Sequence, residues 1–127
     1  MENLHRIQNR KIKKIVLNTD KDELDIFFDE MPHLFLTLCP DCSDENIFVF
    51  PDIKYDDPNL VGKIFSDIRV NEEFAKPKTI DRGYYEVDNQ IIIKFHDNSE
   101  FAFIWRHTCN GYYNGTLDIH IGNSKCS

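Results

Sequence analysis

Apolar and polar positions alternate along most of this chain with a period of two, the spacing of strands half buried against a core. Residues 12–17 read as a strand, and residues 18–22 as a polar turn. Leu24, Ile26 and Phe28 then alternate with Asp25, Phe27 and Asp29, until Pro32 ends the pattern. Residues 33–38 form an apolar run closed by Pro40, and residues 47–50 a short one closed by Pro51. Residues 52–59 are a loop dense in Asp and Pro, and residues 59–62 a turn with Gly62 as its stop. Residues 63–70 predict a strand with Ile64, Ser66, Ile68 and Val70 on one face and Phe65, Asp67 and Arg69 on the other.

Residues 71–82 show no period and are expected to be a mobile loop. Beyond them, residues 84–87 and 90–95 predict a hairpin turning at Asp88 and Asn89. Residues 96–99 turn again, and residues 100–106 carry apolar side chains on both faces, which predicts a central strand. After a loop at residues 108–115, Leu117, Ile119 and Ile121 alternate with Asp118 and His120 in a last strand with one wet face. The expected fold is mainly β, a β-rich α+β class, as an antiparallel meander or small sandwich. Helices are short at most, and residues 1–10 are the place for one.

The chain's 127 residues suit one domain spanning residues 1–127. No run of about 18 apolar residues offers a membrane-spanning helix. Residues 1–14 are polar and basic, without the apolar segment of a secretory signal, so the expected compartment is the cytoplasm, with reduced thiols. The formal charge is -7, which disfavours nucleic acid and anionic membrane as partners. Charge is also segregated. Residues 1–19 hold five basic groups and one acid, whereas residues 20–60 hold two lysines and twelve acids, a net of 2 − 12 = −10. A concentrated negative field steers a basic partner and also keeps a small protein soluble.

Candidate chemistry is sparse. Cys39 and Cys42 have the spacing of a zinc chelate or a redox pair. A zinc site would need Cys109 and His107 as well, or His96 or Cys126, because no second pair of that spacing follows. The alternative is two plain turn cysteines, so no metal and no cofactor is expected. The Asp-rich loop lacks the ligand pattern of a calcium-binding loop, and neither a phosphate-binding Gly loop nor a nucleophile elbow is present. In Asn110-Gly111-Tyr112-Tyr113-Asn114-Gly115, two glycines allow a tight turn, and two adjacent tyrosines either anchor a partner or cover the sheet edge.

Four segments resemble a family of small uncharacterised phage and bacterial proteins. They are Leu36-Thr37-Leu38-Cys39-Pro40-Asp41-Cys42 with Val49-Phe50-Pro51-Asp52-Ile53, then Leu60-Val61-Gly62-Lys63, then Cys109-Asn110-Gly111-Tyr112-Tyr113-Asn114. They are similar to that family's Asp-Cys-Cys-Glu-like, Leu-Ile-Gly-Lys-like and Asn-Gly-Tyr-Tyr elements, and the likeness spans roughly residues 34–121. In this chain Pro-Asp separates the two cysteines. The resemblance implies a phage or mobile-element setting and no activity.

The expected function is therefore that of a non-enzymatic acidic binder that neutralises a basic protein, such as an immunity protein against a nuclease-type bacterial toxin domain. Asp41, Asp44, Glu45, Asp52, Asp56 and Asp57, with Tyr112 and Tyr113, are its expected partner contacts. The alternatives are a phage-type inhibitor or nucleotide sponge acting against host defence, and a zinc-stabilised domain built on Cys39 and Cys42.

Overall fold

The computed structural model describes residues 4–39, 46–51, 60–72, 78–81, 83–109 and 116–124. Among these described residues, a 3-10 turn at Leu4–Arg6 leads into nine strands: β1 (Ile12–Leu17), β2 (Glu23–Phe28), β3 (His33–Cys39), β4 (Asn46–Val49), β5 (Phe65–Asn71), β6 (Lys78–Asp81), β7 (Tyr84–Phe95), β8 (Glu100–Cys109) and β9 (Thr116–Gly122). They form two antiparallel sheets, one ordered β1-β2-β3-β9 and one ordered β4-β8-β7-β5, with β6 also paired to β7. The fold is mainly β. Among the described residues no helix is long and apolar enough to cross a membrane.

Alternation decides what each sheet buries. Leu24, Ile26 and Phe28 of β2, and Leu34, Leu36 and Leu38 of β3, face Phe48, Ile68, Ile91, Ile93, Phe103 and Trp105 of the other sheet in one continuous core. The rings of Phe28 and Phe65 meet edge to face across it, with centroids 5.7 Å apart. β8 lies between β4 and β7, as its two apolar faces predict.

Two bulges join the sheets at one corner. The register shifts between Ile12 and Lys14 on β1 and between Phe65 and Asp67 on β5. Each extra residue lets side chains three apart, Ile12 and Ile15 or Phe65 and Ile68, point into the same core. The Ile12 amide donates to the Lys63 carbonyl at 2.9 Å and the Phe65 amide to the Arg10 carbonyl at 2.8 Å. The faces predicted for residues 63–70 are therefore exchanged at their start. Phe65 is buried, and Ile64 is 39% exposed.

The structure corrects three further expectations. Residues 84–95 are one strand rather than a hairpin. Asp88 and Asn89 pair with Arg106 and Trp105 in the ladder, Asn89 is buried, and the Asp88 carboxylate accepts two bonds from the Arg106 guanidinium at 2.9 and 3.1 Å. The stretch 71–82 contains β6, whose partner is the first part of β7. β8 runs on to Cys109, three residues past its expected end. The turn at residues 96–99 is as predicted. There Lys63 and Ser99 bond the Asp97 carboxylate, and the Lys63 bond in particular holds that carboxyl well below the usual range.

Candidate protein-docking face

The outer face of the five-stranded sheet carries an apolar strip. Ile47 and Val49 of β4, Ala102 and Ile104 of β8, and Ile92 of β7 all point away from the core, as the registers Ile47↔Arg106, Val49↔Ile104 and Ile92↔Ala102 require. All but Ile92 keep part of their surface in contact with solvent. Val49, Phe50, Pro51, Gln90, Ala102, Phe103 and Ile104 line a shallow depression of about 300 Å³.

Charged pairs frame the strip. Arg106 lies between Asp88 and Glu86, 2.9 and 3.5 Å from their oxygens, and Arg69 meets Glu100 at 3.5 Å. The described arginines of this face, Arg69 and Arg106, thus each stand beside a carboxylate.

The expected contacts Asp41, Asp44, Glu45, Asp52, Asp56, Asp57, Tyr112 and Tyr113 lie outside the described residues, as does Cys42. Their neighbours in the chain are described. The first acidic triplet precedes Asn46, and the second follows Pro51, so both adjoin β4 in sequence. The other six acids of residues 20–60 sit on or beside β2. There Asp25 is buried, Glu30 pairs with Arg10, and Asp22 takes the Asn18 amide.

The alternative zinc residues fall on two sheets, Cys39 on the four-stranded one and Cys109 and His107 on the other. Cys39 ends β3 opposite Thr116, Cys109 ends β8 opposite Tyr85, and His107 stands between Asn46 and Val87. His107 is 5% exposed and tilted against the Trp105 ring at 5.0 Å. Burial pushes its pKa down, against smaller opposing effects of the Thr108 backbone and Asp88. Among the described residues no three His, Cys, Asp or Glu side chains are grouped to hold a metal ion.

Sequence reasoning missed a second cluster, on the outer face of the four-stranded sheet. The His120 ring stacks on Phe35 at 6.1 Å and 21°, Phe27 meets the edges of Phe35 and His33, and Lys14 Nζ sits 5.1 Å above Phe27. Phe35 is only 3% exposed although it points outward. The signal was there: Phe27 and Phe35 occupy the positions that alternation assigns to solvent, where a polar residue is the ordinary choice.

Comparison with known proteins gives little beyond this geometry. No family model matches the chain. It is similar, at 26% identity over 114 residues, to an uncharacterized protein of Acanthamoeba polyphaga mimivirus, with 87% of this chain and 86% of that protein covered. No solved structure matches.

Proposed function

We propose that this chain is a non-catalytic binding protein that neutralises a basic partner protein, in the manner of an immunity protein seated on a nuclease-type toxin domain. The observation that carries this reading is the apolar strip of β4, β8 and β7 together with the position of β4 in the chain. The edge strand that contributes Ile47 and Val49 has an acidic triplet on each side of it in sequence: Asp41, Asp44 and Glu45 before, Asp52, Asp56 and Asp57 after. Apolar side chains supply the desolvated centre of such an interface, and flanking acids supply steering toward a basic cleft and a penalty against acidic competitors. The resemblance to small phage and bacterial proteins suits a product directed against another genome's effector.

The test is affinity capture at low and high salt with three proteins in parallel: the natural chain, Ile104→Asp, and a chain with all six flanking acids changed to Lys. The reading expects a basic protein on the natural chain, released by salt and lost with either variant. Capture of no basic protein, or equal capture by all three, overturns it.

A further inference from the structure

Strand edges expose unpaired N–H and C=O groups, and natural sheets cover or blunt them. Three edges of this sandwich are so treated. β1 bonds to residues 62 and 63, the Phe48 amide of β4 donates to the Lys21 carbonyl at 2.7 Å, and β5 begins beneath the Asn9 amide and the Gln8 side chain. The edge of β9 differs. It has seven residues, it pairs only with β3 among the described residues, and it carries neither Lys nor Pro. Its Leu117 and Ile119 are only partly covered by the core they pack against.

We propose that β9 pairs antiparallel with β9 of a second copy, about a two-fold axis through Ile119, and so joins two four-stranded sheets into one of eight strands. The strand's own sequence selects this partner. Leu117, Ile119 and Ile121 face inward opposite Leu38, Leu36 and Leu34, while Asp118 and His120 face outward. Pairing about Ile119 sets Leu117 against Ile121 on the inner face. On the outer face it sets Asp118 against His120 of the other copy, twice by symmetry. Pairing about Asp118 sets carboxylate against carboxylate. Pairing about His120 sets ring against ring and leaves Asp118 opposite Gly122. A register one residue off sets core side chains opposite solvent side chains. Only the Ile119 register satisfies both faces.

The experiment is sedimentation equilibrium of the full chain from low-micromolar to sub-millimolar loading, with hydrogen exchange at both extremes. The expected mass rises to twice the 15.0 kDa of one chain, with added protection confined to the amides of β9. Asp118→Lys and His120→Asp are each expected to weaken the dimer by about tenfold, since every such change acts at two symmetric pairs. The double variant Asp118→Lys/His120→Asp recovers most of the loss by setting a lysine against an aspartate at both symmetric pairs. Melting curves identify any variant that fails to fold, and Asp118→Lys, at an exposed position, keeps the test intact if His120→Asp does. A monomeric mass at every loading, an Asp118→Lys chain that dimerises like the natural one, or new protection outside β9 overturns the proposal.

Discussion

The indole N–H of Trp105 donates to the side-chain oxygen of Asn46 at 2.6 Å, entirely inside the protein. This bond ties β4, a four-residue edge strand, to the middle of its sheet. A ladder of four residues holds an edge strand weakly, and a buried polar bond costs more to break than to omit. Asn46→Ala leaves the indole N–H unpaired and is expected to cost about 1–3 kcal/mol in urea unfolding. Combining it with Trp105→Phe should cost less than the two changes summed, which a double-mutant cycle measures.

Phe103 is the centre of the aromatic core. Its ring meets Phe48 at 5.8 Å and Phe50 at 4.6 Å, and almost none of it reaches solvent. Phe103→Ala is expected to cost about 3–5 kcal/mol, a large share of the stability of a domain this size. Thermal and denaturant unfolding check the value; a midpoint that scarcely moves would place the core elsewhere.

Acid should weaken the fold through histidine. Burial lowers the pKa of His107, and burial with nearby Lys13 lowers that of His33. A histidine whose folded pKa lies below its unfolded value binds its proton more readily when the chain is unfolded. Its contribution is therefore present above about pH 6.5 and is lost as the pH falls toward the folded value. Stability should decline between about pH 7 and pH 5, and the decline should be shallower in His107→Asn. Unfolding midpoints across that range provide the check.

Gly122 holds space for a ring. A Cβ at this position would stand 2.7 Å from His120 Nε2, in front of the ring that stacks on Phe35. Gly122→Ala is expected to turn His120 off Phe35 at a cost near the lower end of about 1–3 kcal/mol, because the ring can swing where backbone could not. The ring-current shifts of Phe35 and His120 in proton spectra would report the movement.

Much of the architecture was legible along the chain because it rests on local rules. Alternation in β2 and β9 marked their inner faces, and proline and polar turns marked the ends of β1, β2 and β3. The errors have physical causes. Asp88-Asn89 has the composition of a turn, and only the Arg106 guanidinium opposite it makes that carboxylate acceptable in mid-strand. A bulge switches face without a signal in the period, so Phe65 and Ile64 were exchanged. β6 is too short to show a period and exists by pairing with β7.

The chain by itself determined that this is a mainly β protein, with its acids gathered in residues 20–60 and its richest aromatic strand in the middle of a sheet. Those properties depend on residue type and spacing, which each strand carries locally. The tertiary structure decided which strands share a sheet. β3 pairs with β9 and β4 with β8, across 77 and 55 residues or more of chain (116 − 39 and 104 − 49), through complementary ladders that no local pattern encodes. Those long-range pairings put Val49 beside Ile104 and, among the described residues, leave β9 paired on one side with β3, and the docking face and the proposed pairing edge both follow from them.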